Sequence, residues 1–187
     1  GRRGHTLRKQ HIMISVLEDE MRNDTFTKAI VWGIIGGFVG TIIMDLVIAG
    51  LFLVVGMPID LIYSFIGDIA QNFFLRIGID VAGGVPLGAF IHFFLGLALG
   101  GLFGVLVTQF RALQLVSFKK GIWLGILYIE LASQPILVTA PLLSRMTASE
   151  ILQWYGLSTM MHLIYGMILG GVMRDRKSTP QNTTHRT

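Results

Sequence analysis

The stretch HFFLGLALGG, residues 92–101, has a counterpart in HLIYGMILGG, residues 162–171. Each begins with a histidine, has a glycine four residues later and ends in a glycine pair. The whole chain is 52% hydrophobic and 14% charged, whereas soluble proteins carry about 25% charged residues. The two stretches therefore predict membrane helices that each hold an ionisable side chain.

Long apolar runs on either side of these stretches predict the fold. A hydrocarbon core of about 30 Å needs roughly twenty apolar residues at 1.5 Å per residue, and four runs meet this length. The predicted spans are residues 30–55, 86–109, 121–143 and 157–173. The sequence thus predicts an all-α polytopic membrane helix bundle with four transmembrane helices.

The predicted transmembrane domain covers residues 29–173 and lies between two polar segments. Residues 1–28 form a basic N-terminal segment. Residues 174–187 are polar and lack aromatic side chains, so they predict a disordered tail.

Lysine and arginine residues are distributed unevenly between the loops. Thirteen of the fifteen lie before the first span, between the second and third spans, or after the fourth, while the other two loops hold Arg76 and Arg145 alone. Because positively charged loops stay in the cytoplasm, both termini are predicted to be cytoplasmic, in the inner or plasma membrane. The basic residues would face anionic lipid, and no soluble element presents a basic face for nucleic acid.

Two polar-apolar segments predict helices at the external surface. Between Ile62 and Phe73 apolar residues recur at helical spacing, interrupted by Asp68, so residues 58–78 predict an amphipathic interfacial helix. TASEILQWYG, residues 147–156, predicts a second, shorter one, in which a threonine caps the helix and a glutamate follows three residues later.

A second match suggests an internal tandem repeat. GGFVGTIIMD, residues 36–45, and GIWLGILYIE, residues 121–130, share two glycines four apart followed five residues later by a carboxylate, Asp45 or Glu130. Each half of a 2+2 repeat would then contain a helix with an acid and a helix with a histidine. The alternative is that small residues recur every four positions in any closely packed membrane helix.

Glycine spacing also predicts which helix faces meet. Residues four apart share one face of a helix, so His92 and His162 lie on glycine-rich faces that should turn into the bundle, as should Asp45 and Glu130. The predicted packing glycines are Gly36, Gly40, Gly96, Gly100, Gly121, Gly125, Gly166 and Gly170.

Asp45, His92, Glu130 and His162 are the candidate site residues, and three interpretations fit them. They could bind a polar solute or relay protons or ions, or they could simply fix helix packing through hydrogen bonds. They could also hold a metal or haem, with His92 and His162 as candidate ligands. No cofactor is called for, and the chain has no cysteine and no nucleophile or phosphate-binding motif that would indicate an enzyme.

The segments FKKGIWLGILYIELASQPILVTAPLL and LSTMMHLIYGMILGGVMRDR resemble the YagU-like family of small inner-membrane proteins. The resemblance implies a four-span bundle and no established activity, and Asp45 and Glu130 are not part of the family pattern. The function predicted is a non-catalytic binding, permeation or assembly component. Because four short spans enclose little space, a homo-oligomer or a larger membrane complex is expected.

Overall fold

The computed structural model describes residues 2–110 and 113–175, with side chains for residue 21 and for 23–110 and 113–174. Over this part of the chain all regular structure is helical, in five helices and no strand. They are α1 (Arg2–Val55), α2 (Leu61–Arg76), α3 (Val85–Gln109), α4 (Phe118–Ser144) and α5 (Ala148–Asp175).

Four of these helices are long and apolar enough to cross a membrane. The spanning portions are Asn23–Val55, Val85–Gln109, Phe118–Ser144 and Ala148–Arg174. Large apolar side chains such as Leu46, Trp123 and Leu142 are exposed on their outer faces, as expected where lipid replaces water. The chain is therefore a multi-pass, all-α membrane protein, as the hydropathy pattern predicts.

The fourth spanning helix begins before the predicted span at residue 157. Residues 147–156 do not form a separate helix, because α5 runs without a break from Ala148. Thr147 donates its backbone N–H to Glu150 Oε2 at 2.7 Å, and Glu150 N–H lies 3.4 Å from Thr147 Oγ1. This predicted capping box starts the helix, and no proline follows to end it before the span.

The helices extend into both of the polar end segments that the sequence predicts. The predicted N-terminal segment is continuous with the first span, because α1 begins at Arg2. At the other end, Arg174 and Asp175 are the last residues of α5. The rest of the predicted tail, residues 176–187, lies outside the described residues.

Helix α2, predicted at 58–78, is not among the candidate spans and packs along α3 through backbone contacts. A Cβ atom on Gly88 would overlap the carbonyl oxygen of Tyr63, and one on Gly67 would overlap that of Gly84. Gly84 has φ 78°, a left-handed conformation that favours glycine. These contacts place Tyr63 directly over the N-terminal half of α3.

The spanning helices form two closely packed pairs, α1 with α3 and α4 with α5. In the second pair, a Cβ on Gly125 would overlap the carbonyl oxygen of Gly166, and one on Gly170 would overlap that of Gly121. The same relation joins two glycines of α1 to two of α3: Gly33 to Gly100, and Gly37 to Gly96.

The predicted packing glycines of α1, Gly36 and Gly40, face α5, whereas Gly33 and Gly37 face α3. Their added Cβ atoms would lie 3.1 Å from Leu169 Cδ1 and 3.0 Å from Tyr165 Cδ2, both on α5. Successive residues are rotated by about 100° around a helix, so adjacent glycine pairs point in different directions. α1 therefore contacts α3 on one face and α5 on the next.

Candidate functional site

A cavity of about 160 Å³ lies between the helices. Its lining comes from all five: the C-terminal part of α1, Ile62 and Ile66 of α2, and residues 92–99 of α3, 129–137 of α4 and 154–165 of α5. The walls are mostly apolar. Its polar side chains converge from four helices, and they include Thr41, Asp45, His92, Ser133, Ser158 and His162.

On one wall, three helices meet at the Asp45 carboxylate. His92 Nε2 lies 2.8 Å from Asp45 Oδ1, and the Tyr63 hydroxyl donates to Asp45 Oδ2 at 2.7 Å. Both members of the Asp45 and His92 pair are largely shielded, with side chains 14% and 16% exposed. Each carboxylate oxygen thus has its own partner, as a buried carboxylate requires.

Tyr63 acts as a permanent donor in this arrangement. Burial raises the pKa of its phenol, and the hydrogen bond to the negative Asp45 carboxylate raises it further. Because ionised phenolate would be repelled by the carboxylate, the hydroxyl remains protonated. Tyr63 therefore fixes the orientation of Asp45 from the α2 side, where its ring also meets that of His92 edge-on at 5.7 Å.

On the opposite wall, His162 contacts a serine rather than a carboxylate. Its Nδ1 lies 3.1 Å from Ser133 Oγ, whereas Glu130 Oε2 is 3.9 Å away, beyond hydrogen-bonding distance. Glu130 Oε1 is buried and has no hydrogen-bond partner among the described residues. Glu130 also does not line the cavity, so the structure brings together three of the four predicted residues.

The contacts relate Asp45 to Ser133, not to Glu130. Asp45 lies eight residues after Gly37, and Ser133 lies eight residues after Gly125. Gly37 and Gly125 make the equivalent backbone contacts with α3 and α5. The sequence match that aligned Asp45 with Glu130 is therefore offset from the packing by about one helical turn, and the tandem repeat remains a prediction.

Tyr165 lies at one end of the cavity, and Tyr128 bonds the adjacent turn of α3. The Tyr165 hydroxyl donates to the Gly96 carbonyl at 2.5 Å, and the Tyr128 hydroxyl donates to the Leu99 carbonyl at 2.8 Å. Beyond these tyrosines the interior is filled by buried side chains, among them Phe103 and Leu169. The cavity is thus confined to the half of the bundle that α2 contacts.

Trp154 lies at the other end, between the cavity and an outer cleft, and a proline explains its position. Pro141 lies inside α4 and lacks the N–H that would bond the carbonyl four residues earlier, at Leu137. Trp154 Nε1 donates to that carbonyl at 3.2 Å. On its far side Trp154 lines a second cleft beside Phe65, so its indole separates the cavity from this outer cleft.

The arrangement supports a metal less well than a solute. A protein site for zinc uses three or four ligating side chains. Across the described residues, no group of three or more His, Cys, Asp or Glu side chains lies close enough to hold an ion. His92 and His162 share the cavity, but each is engaged by a different neighbour.

Several residues that line the cavity, contact its polar groups or set the packing around it are not predicted from the sequence. Tyr63 belongs to the predicted interfacial helix, and nothing in its spacing connects it to Asp45. Tyr165 lies beside Gly166 in the glycine-rich stretch HLIYGMILGG, and nothing in the sequence marks it as a cavity residue. Gly33 and Gly37 do carry a signal, since they are four residues apart within WGIIGGFVG, although two overlapping glycine pairs leave the correct one ambiguous.

Comparison with known proteins gives no relative. The sequence matches no protein-family model, no curated protein and no solved structure. The resemblance to the YagU-like family therefore remains a prediction, and the functional argument depends on the cavity.

Proposed function

We propose that this protein is a non-catalytic membrane component that binds a small, largely apolar solute in the cavity between its helices. The observation that carries the proposal is that His92 and His162, which belong to different helix pairs, line one cavity together with Asp45. Apolar walls with a few convergent polar groups are typical of small-molecule sites. Ionisable residues inside a membrane domain commonly mark such sites.

Binding is favoured over permeation through a single chain. Tyr165 and the filled core beyond it leave the cavity open toward one half of the bundle. A continuous pathway would need a second copy or another membrane partner, which agrees with the expected oligomer. Reversible occupation of a dead-end cavity is what one chain can provide.

A structural role is the second candidate, and the hydrogen bonds favour it. His92 bonds Asp45 across α1 and α3, and His162 contacts Ser133 across α4 and α5. Such bonds fix the register of neighbouring helices and are worth about 1 kcal/mol or less in membranes. This role needs no empty cavity, so solute binding distinguishes the two candidates.

A neutral one-ring compound tests solute binding. We expect tert-butylbenzene to raise the unfolding temperature of the detergent-solubilised protein, because ligands that bind the folded state alone stabilise it. Ser158→Leu should abolish this increase, since Ser158 is buried and lines the cavity. Thr159→Leu is the matched control, because the neighbouring Thr159 is exposed and should retain the full increase.

If wild type and both variants respond equally, the compound partitions into detergent or another surface, and the cavity is not its site. If the folded wild type shows no increase at all, the solute-binding proposal is wrong and the structural role is preferred.

We further propose that the protein lies in the inner or plasma membrane, with both termini cytoplasmic and α2 at the external interface. The thirteen-to-two distribution of Lys and Arg supports this orientation. It is also the orientation implied by the YagU-like resemblance, which we retain as a proposal.

Cysteine labelling tests this orientation without background, because the chain has no cysteine. Asn72→Cys on α2 should react with a membrane-impermeant maleimide applied to intact cells. Val116→Cys, in the loop between α3 and α4, should react after the membrane is opened. Position 116 is chosen rather than position 115 because Val116 is 72% exposed, whereas Leu115 is buried. Reaction at 116 in intact cells would contradict the orientation.

A further inference from the structure

The cavity carries one carboxylate and no fixed positive charge. Asp45 is the acidic side chain of its lining, and the described lining residues include no Lys or Arg. The partners of Asp45 are the Tyr63 hydroxyl and His92 Nε2. A phenol donates without charge, and a histidine is charged only when it binds an exchangeable proton. The negative charge of the site is therefore balanced by a proton or by a bound cation.

The remaining residues of the lining suit the apolar part of a ligand. The cavity of about 160 Å³ is close to the roughly 150 Å³ that accommodates benzene in an engineered protein cavity. Two aromatic side chains, Trp154 and Tyr165, lie among the aliphatic wall residues. Aromatic faces attract cations through the ring quadrupole, and tryptophan does so most strongly.

From these features we infer that the cavity binds a small hydrophobic monovalent cation, of the ring-substituted or alkyl-substituted ammonium class, with Asp45 as its counter-ion. The inference rests on the proposed solute-binding function and specifies its substrate. Placing a cation in an apolar site is costly unless an opposite charge neutralises it. A neutral solute of the same shape would gain the apolar contacts but not the attraction to Asp45.

Protons should compete with such a cation. The titratable groups that face Asp45 are Tyr63 from α2, His92 from α3 and, across the cavity, His162 from α5. Glu130 of α4 lies 3.9 Å from His162 Nδ1 and outside the lining. A proton on the Asp45 carboxylate removes the counter-ion, and a proton on either histidine repels the ligand. A proton bound at any of these side chains therefore opposes cation binding.

A pair of isosteric probes separates charge from shape. Phenyltrimethylammonium and tert-butylbenzene differ in one atom, nitrogen or carbon, and hence in charge. We expect the cation to stabilise the wild-type protein at lower concentration than the neutral compound, because only the cation is attracted to the Asp45 carboxylate. Asp45→Asn should weaken binding of the cation about 10-fold or more while tert-butylbenzene still binds. Asp60→Asn, which removes an exposed carboxylate of the α1–α2 connection, should change neither.

The outcomes separate this inference from the proposed function. If wild type binds the neutral compound but not the cation, or if Asp45→Asn leaves cation binding unchanged, the cation inference is wrong and the solute-binding cavity stands. If neither probe binds the folded wild type, both proposals fail. Retained tert-butylbenzene binding by Asp45→Asn also shows that the variant folds.

Discussion

Gly166→Leu is expected to abolish the packing of α4 against α5, so that little folded protein survives purification in detergent. A single Cβ at this position would lie 2.6 Å from Ile126 Cα and 2.7 Å from Ile126 N, both main-chain atoms that cannot move without separating the helices. Overpacking a tight interface costs about 1–3 kcal/mol even for small additions. We therefore expect Gly166→Ala to be destabilised by about 3 kcal/mol and the leucine variant to be worse, as measured by thermal unfolding and by the monodisperse fraction.

Gly156→Leu provides the matched control on the same helix. A Cβ at Gly156 meets no atom within 4 Å, and replacing an exposed helical glycine removes a penalty of about 0.8–1 kcal/mol. This variant should be as stable as the wild type or slightly more stable. Comparable losses at 156 and 166 would show that α4 and α5 do not approach through their glycines.

The number of spans could be predicted because it depends on composition alone. A bilayer core requires a fixed length of apolar chain, and four runs supply it wherever the helices end. The fourth helix begins before the predicted span, because hydropathy falls within TASEILQWYG, while the start of the helix is set by the capping box at Thr147 and Glu150. Backbone hydrogen bonding, rather than polarity, determines where a helix begins.

The partners of the polar residues could not be predicted in the same way. A glycine pair identifies a face that permits close approach, but not which helix fills it, as Gly36 and Gly40 show by facing α5. Glu130 and Ser133 are three residues apart, so they differ by only about 60° around α4 and about 4.5 Å along it. This small offset decides which of the two side chains His162 contacts. Tyr63 reaches Asp45 only because α2 folds back along α3, and the intervening turn gives no sign of that contact.

The two histidines are expected to differ in their effect on stability. His92→Leu removes the partner of Asp45 Oδ1 and leaves a shielded carboxylate bonded to Tyr63 alone. Removing one member of a buried ion-pairing arrangement costs about 3–5 kcal/mol, so we expect a loss of about 3 kcal/mol in thermal unfolding experiments. His162→Leu should cost about 1 kcal/mol or less, because the Ser133 hydroxyl keeps the Glu130 carbonyl at 3.3 Å as its partner.

A double-mutant cycle on Asp45 and His92 tests the reason for this difference. If the loss in His92→Leu comes from an unpaired carboxylate, removing that carboxylate should restore stability. We expect Asp45→Leu combined with His92→Leu to unfold within about 1 kcal/mol of the wild type, since apolar pairs often replace buried ionic ones without penalty. If the Asp45 and His92 losses add to within about 0.5 kcal/mol, the carboxylate does not depend on His92, and the 2.8 Å contact between them contributes nothing to stability.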